Sequence, residues 1–141
     1  NGKTLVAIGG TSSLVYLCDP SNHCCPIILK LKGHEDWVKA ISITKPPLSD
    51  YTLVSTCSQD RIICIWKISL SDESKNSHQT INDLINKQYF SVKLDIGISQ
   101  EFCVTKDSIL LCHESRISAI DWLENEESFP NLLSVGMDEL I

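Results

Sequence analysis

The chain has 141 residues, of which 43% are hydrophobic and 21% charged, and its formal net charge is −6. These proportions are typical of a globular domain and exclude a chain that is disordered as a whole. No apolar run approaches the roughly 18 residues of a membrane-spanning helix, and the N-terminus has no signal-peptide pattern. The sequence therefore predicts a soluble protein without membrane contact, in the cytoplasm or also in the nucleus. Because the first residue is Asn1 and not Met, we expect a longer parent polypeptide.

The negative charge is concentrated near the C-terminus. Residues 121–141 contain six acidic residues and no Lys or Arg, whereas the first 120 residues carry 12 acids and 12 bases. Arginine occurs only as Arg61 and Arg116, so the sequence has no basic stripe. Since phosphate contacts supply most non-specific affinity for nucleic acids, we expect no direct binding of DNA or RNA.

The seven cysteines include no Cys-x-x-Cys pair. Cys57, Cys64 and Cys103 fall in strand-like apolar runs, where cysteine acts as a small hydrophobe. The triplet at 23–25, His-Cys-Cys, suggests a zinc site, but adjacent cysteines point to opposite sides of a strand and zinc prefers ligands two to four residues apart. We therefore predict reduced thiols, and neither a metal nor another cofactor.

The most informative stretch runs from Gly33 to Trp66. A Gly-His pair opens it, and an Asp stands six residues before the closing Trp. Two β-prone runs and one continuous apolar run lie between them, which predicts three strands. This order of parts resembles one blade of a WD40-repeat β-propeller, whose repeat is roughly 40–45 residues long. The resemblance implies an all-β fold of four-stranded antiparallel blades.

The resemblance also implies a hydrogen-bonded set within the blade. Its members are His34, Asp60, the indole of Trp66 and a strand hydroxyl, either Thr56 or Ser58, with Thr56 favoured. A hydroxyl, a histidine and an aspartate together also suggest catalysis, but the pattern offers no oxyanion site and no pocket. We therefore predict a structural role for this set and no enzymatic activity.

Two other parts of the sequence repeat this blade. Residues 5–19 align with residues 53–67 at a shift of 48, and residues 109–122 align at a shift of 79. A one-residue deletion then brings residues 132–138 into line at a shift of 78, which gives a second set of His113, Ser134 and Asp138. The sequence thus predicts about two and a half blades. We expect residues 1–31 to hold half a blade and the outer strand of the next, 32–68 a complete blade, 69–100 an insertion that is mostly loop, and 101–141 a blade truncated before its last strand.

The insertion has its own local signals. Residues 71–88 are polar and indicate a loop, with one or two helical turns over residues 80–85. The alternation from Tyr89 to Ile96 indicates an extra strand. A loop of this length is usually functional or disordered, so contact with a partner and passive disorder both stay open.

Antiparallel strand order assigns the loops to two faces. The Gly-His loops and the Asp turns share one face, so the connections at 44–51 and 123–131 and the insertion share the opposite face. Because these connections are long, we predict that they form the partner-binding face. Its candidate residues are Pro46, Pro47, Glu126, Glu127 and Phe129. The alternative is binding through the other face or the rim, as in many propellers.

Three segments resemble more than a general WD40 repeat: GHEDWV at 33–38, CSQDRIICIWK at 57–67 and FCVTKDSILLCHESRISAIDW at 102–122. They are similar to the family of Elongator second subunits, over residues 5–67 and 101–138. The departures are Lys67, Cys112 and Arg116, in place of the Asp, Gly and Trp of the pattern. The resemblance implies a double-propeller scaffold in the complex that modifies wobble uridines of tRNA, with the scaffold and catalytic subunits of Elongator as partners and the radical and acetyl-transfer chemistry in another subunit.

Two alternatives come from other protein classes. A substrate receptor of a ubiquitin ligase would present aromatic or arginine side chains at a central channel, and this sequence is poor in arginine. An enzyme would need His34 or His113 to be accessible beside a nucleophile. Since repeat units bury their cores against neighbours, we also expect this chain to self-associate when it stands alone.

Overall fold

A computed structural model describes residues 4–71, 86–93, 99–124 and 128–138 of the chain. The described residues form ten strands joined by turns and loops: β1 (Val6–Ile8), β2 (Leu14–Cys18), β3 (Ile27–Lys32), β4 (Val38–Thr44), β5 (Tyr51–Ser58), β6 (Ile63–Leu70), β7 (Lys87–Lys93), β8 (Ser99–Leu110), β9 (Ile117–Leu123) and β10 (Asn131–Gly136). The all-β class predicted from the sequence is confirmed. Within the described ranges, no helix has the length and apolar character to cross a membrane.

The strands form three antiparallel sheets. The first sheet has the order β1-β2-β3, the middle sheet β4-β5-β6-β8-β7, and the third sheet β9-β10. A first hydrophobic cluster joins the first and middle sheets, and a second joins the middle and third sheets. The sheets therefore stack side by side, as consecutive blades of a β-propeller do.

Neighbouring sheets cover both faces of the middle sheet, and the apolar runs of its strands reflect this. In β5 the last six residues, from Leu53 to Ser58, are all buried. In β6, Cys64 and Trp66 belong to the first cluster and Ile63 to the second. Alternate residues of a strand point to opposite faces, so a strand between two neighbours is apolar on both sides and appears as a continuous apolar run.

The division of the chain into blades needs two corrections. β3 pairs with β2, so it is the outer strand of the first sheet and not of the next one. In the same way, β8 pairs with β6 and belongs to the middle sheet, although the sequence assigned residues 101–110 to the following blade. The repeat in the sequence begins one strand earlier than the sheet does, because the outer strand of each sheet leads directly into the next Gly-His loop.

The middle sheet has five strands instead of the expected four. The additional strand, β7, lies in the insertion and pairs with β8 along its whole length, from Lys87 opposite Thr105 to Lys93 opposite Ser99. The alternation from Tyr89 to Ile96 indicated a strand in this place. The helical turns predicted over residues 80–85 lie outside the described residues.

Candidate functional site

The first hydrogen-bonded set lies where the β3–β4 loop meets the β5–β6 turn. His34 Nδ1 is 3.0 Å from Asp60 Oδ2, and His34 Nε2 is 2.8 Å from Thr56 Oγ1. The indole N–H of Trp66 donates to the same Thr56 oxygen over 3.2 Å. The structure thus brings together all four residues that the WD40 resemblance indicated.

The choice between the two strand hydroxyls has a local cause. Ser58 Oγ accepts a hydrogen bond from the backbone N–H of Asp60 over 3.1 Å and so shapes the turn. Thr56 lies opposite Cys64 in the β5–β6 ladder, and Val54 lies opposite Trp66. Directly opposed residues and residues two apart share a face, which puts the Thr56 hydroxyl beside the indole.

Asp60 fixes the turn as well as the histidine. Its carboxylate accepts hydrogen bonds from the backbone N–H groups of Glu35 (2.9 Å) and Ile62 (3.0 Å). Burial raises the pKa of Asp60, but these two amides and His34 outweigh burial and hold it below its ordinary value. The carboxylate therefore links the loop before β4 to the turn before β6.

A glycine makes room for this arrangement. A Cβ at Gly33 would stand 2.8 Å from Cζ2 of Trp66 and 2.9 Å from Cη2, both too close for a real contact. The backbone of the Gly-His pair therefore packs directly on the indole ring. This close approach explains why a Gly precedes His34 in a blade that also contains the Trp.

The second set occupies the equivalent place in the third sheet. His113 Nδ1 is 2.9 Å from Asp138 Oδ1, and His113 Nε2 is 2.9 Å from Ser134 Oγ. Burial raises the pKa of Asp138, but hydrogen bonds from His113 and from the backbone N–H groups of Ser115 and Glu114 lower it well below its usual range. All three residues of this predicted set are thus in contact.

In both sets, buried hydrogen bonds join the loop that carries the histidine to the turn that carries the aspartate. The side chain of His34 has 0% exposure and that of Asp60 7%, and both ring nitrogens of the histidine are already engaged. In the second set the exposures are 2% for His113 and 6% for Asp138. Each group satisfies its neighbours, as buried polar groups do when they fix a fold. Among the described residues, no cluster of three or more His, Cys, Asp or Glu could hold a metal ion.

The opposite end of the strands carries the predicted partner-binding face. Pro46 is buried, whereas Pro47 is exposed and Phe129 is 58% exposed. Glu126 and Glu127, predicted for the same face, lie outside the described residues. β4 and β9 are neighbours, joined by a 2.8 Å hydrogen bond from Ser42 Oγ to Asp121 Oδ1. The 45–50 loop and the described residues between β9 and β10, 124 and 128–130, therefore lie at the same end of adjacent strands.

Sequence reasoning missed one prominent residue on this face. Leu48 is fully exposed and has φ 57°. Leucine rarely adopts this left-handed conformation, so the sequence contains no signal for it.

Comparison with known proteins agrees with the fold. The family model for the WD domain, G-beta repeat, matches residues 25–67. The chain is 31% identical over 132 residues to Elongator complex protein 2 of Saccharomyces cerevisiae, a match that covers 87% of the chain and 16% of that protein. It is 30% identical over 130 residues to the Schizosaccharomyces pombe protein of the same name (90% and 17%), and 25% identical over 118 residues to the human one (84% and 14%).

The chain thus spans about one sixth of the length of the curated relatives it matches. Three observations indicate the same propeller fold. They are the ten antiparallel strands in stacked sheets, the family match over one repeat, and the two hydrogen-bonded sets in which a histidine joins a loop to a turn. Residues 25–67 thus match a WD40 repeat, and most of the chain is similar to a stretch of Elongator complex protein 2.

Proposed function

We propose that the chain is a segment of a non-catalytic scaffold subunit of an Elongator complex, and that it supports the modification of wobble uridines in tRNA through that complex. The observation that carries the proposal is the extent of the similarity. A WD40 repeat in general accounts for residues 25–67, whereas the similarity to Elongator complex protein 2 extends over 87% of the chain. A partner-binding propeller of another kind would be expected to match through its repeats alone.

The two histidines of the hydrogen-bonded sets support a scaffold over an enzyme. His34 and His113 are enclosed and use both ring nitrogens within their own sheets, so neither presents a free base to a substrate. The chemistry on uridine then belongs to another subunit. The segment takes no cofactor in this proposal.

The net charge of −6 favours proteins over tRNA as direct partners. Phosphate repels an acidic surface, and the chain has no basic stripe that would release counterions on binding. The proposed partners are the scaffold and catalytic subunits of the complex. We place the protein itself in the cytoplasm and also in the nucleus in this proposal. Fluorescence microscopy of a tagged copy tests this location directly.

The test is affinity purification of the complete protein from its own cells, with a tag placed at the genomic locus, followed by mass spectrometry. We expect the other Elongator subunits to co-purify in stoichiometric amounts. In a second arm the protein is depleted, and nucleosides of total tRNA are quantified. We expect a loss of the modified wobble uridines, with modifications elsewhere in tRNA as the internal control.

Two outcomes would contradict the proposed function. Recovery of ubiquitin-ligase components in place of Elongator subunits would identify a substrate receptor, and unchanged wobble uridines after depletion would remove the tRNA function.

A further inference from the structure

The turn between β4 and β5 projects one apolar side chain into solvent. Leu48 is fully exposed, and its φ of 57° lies in the left-handed region that favours glycine and asparagine. Exposure forfeits the gain from burying leucine, and the conformation adds strain. Neither feature helps this chain to fold, so both point to a role outside it.

Hydrogen bonds of Ser49 close the turn that carries Leu48. The backbone N–H of Ser49 donates to the carbonyl oxygen of Pro46 over 3.2 Å. Ser49 Oγ lies 2.6 Å from the same oxygen and 3.1 Å from the carbonyl oxygen of Tyr51. Pro46 itself is buried, which anchors the start of the turn. A backbone held in this way loses little conformational freedom when the side chain that it carries is bound.

Further apolar side chains are exposed at the same end of the adjacent strands. Ile43, near the end of β4, is 50% exposed, and Leu123, the last residue of β9, is 52% exposed. Phe129, just before β10, is 58% exposed. Together with Leu48 these residues form what we call the Leu48 face. Grouped exposed apolar side chains mark interaction sites more often than isolated ones do.

The charges around the Leu48 face are mainly negative. Asp50 and Glu124 are exposed, and Lys45 is the only base in residues 43–51. Residues 121–131 contain no Lys or Arg. An acidic rim repels both anionic membranes and nucleic acids, and it attracts a protein surface rich in Lys or Arg.

We propose that the Leu48 face docks onto a protein partner that offers an apolar pocket for Leu48, surrounded by Lys and Arg side chains. The proposal rests on the scaffold function, because it names the surface through which the scaffold holds one of its subunits. Leu48 is the anchor, and the acidic residues set orientation and rate of association.

The first experiment compares two variants of the complete tagged protein. Leu48→Asn removes the anchor but keeps a residue that tolerates the left-handed conformation, so we expect an unchanged or higher melting temperature. Trp37→Asn is the matched control, since Trp37 is 47% exposed just before β4, at the opposite end of that strand. We expect Leu48→Asn to weaken binding of one subunit about tenfold or more, and Trp37→Asn to leave it intact.

The second experiment identifies the partner's surface. A photo-reactive benzophenone amino acid is placed at position 48, and the cross-linked peptide is sequenced. We expect one peptide from a co-purifying subunit, with apolar residues flanked by Lys or Arg. Glu124→Lys should weaken the same complex most at low salt, because screening removes the attraction at high salt.

The outcomes separate this proposal from the proposed function. If Elongator subunits co-purify and Leu48→Asn loses none of them, the scaffold function stands and the docking surface is wrong. If other proteins co-purify and Leu48→Asn loses one that also cross-links at position 48 through a basic peptide, the surface stands and the Elongator assignment falls. A cross-link to a second copy of the chain, or to an acidic peptide, would also overturn the docking proposal.

Discussion

The hydroxyl of Thr56 is the centre of the first hydrogen-bonded set, since it contacts both His34 Nε2 and the Trp66 indole N–H. Thr56→Val keeps the shape but leaves both partners buried and unpaired, so we expect a loss of about 1–3 kcal/mol of unfolding free energy for each partner. Thr56→Ser, which keeps the hydroxyl, should cost less than half as much. Urea unfolding of the three proteins measures the difference.

The second set provides the comparison. Ser134 is half-buried, and its Oγ contacts only His113 Nε2 among the groups of the second set. Only one enclosed partner, His113 Nε2, loses its hydrogen bond in Ser134→Ala, so this variant should cost about 1–3 kcal/mol, half the cost of Thr56→Val. Equal costs for the two variants would show that the number of partners left unpaired does not set the loss.

Asp60 and Asp138 make stability depend on acid. The pKa of each is lower in the folded chain than its ordinary value, so folding favours the charged form. Their contribution is complete above the unfolded pKa of about 3.9 and is lost as the pH falls through the folded pKa. We expect the stability gap between the wild type and the Asp60→Asn, Asp138→Asn double variant to be constant near neutral pH and to shrink below about pH 4.

Unfolding by urea at a series of pH values measures this gap. Each single variant is measured beside the double variant, so that the contributions of Asp60 and Asp138 are separated. A gap that widens toward acid pH would contradict the assignment.

The predictability of these residues differs for a physical reason. His34, Thr56, Asp60 and Trp66 could be identified because the resemblance to a WD40 repeat implies this set, and strand pairing and a tight turn then bring the four side chains together. The exposed, left-handed Leu48 could not, because a local pattern does not encode a conformation that its own residue disfavours.

At the scale of elements, β7 changes the interpretation of the insertion. The sequence left contact with a partner and passive disorder open, but β7 has a third role. Phe90 and Val92 are buried in the cluster between the first and middle sheets, and Phe90 stacks on Phe102 with ring centroids 5.3 Å apart. Part of the insertion is therefore core.

Replacing Phe90 by Ala tests this role. Removal of a buried aromatic ring should lower the unfolding free energy by about 3 kcal/mol, through lost burial and the cavity that remains. Tyr89→Ala is the matched control on the same strand, since Tyr89 is 44% exposed and should cost less than about 1 kcal/mol. Thermal unfolding of both variants measures the two losses of stability. Equal losses would mean that β7 contributes little to the core.

Periodicity located most strands but could not assign all of them to sheets. The alternation and apolar runs gave β4, β5 and β6 because burial dictates those patterns. The pattern of β3 or β8 is the same whichever sheet it joins, and only its hydrogen-bonding partner settles the matter. Sheet membership is a non-local property, so a local pattern does not contain it.

At the scale of the whole molecule, the three sheets differ in how well they are covered. The middle sheet has a cluster on each face, whereas the first and third sheets each share only one cluster. Within the described ranges, β1 pairs only with β2 and β10 only with β9. Each of these strands thus presents an edge that can pair with another strand.

This uneven cover predicts that the 141-residue chain self-associates when produced alone. The exposed apolar side chains on or next to β1 and β10 are Val6, Ile8, Leu133, Val135 and Met137. Burying them against a second copy removes apolar surface from water and pairs the free edges. Light scattering coupled to size-exclusion chromatography should show dimers or larger species whose fraction rises with concentration.

Leu133→Lys with Val135→Lys should shift the chain toward monomer, because charges on an edge strand oppose pairing. Leu48→Asn, at a turn of the middle sheet and outside β1 and β10, should leave the distribution unchanged. A monodisperse wild-type monomer that unfolds cooperatively would show that the three sheets are sufficient by themselves.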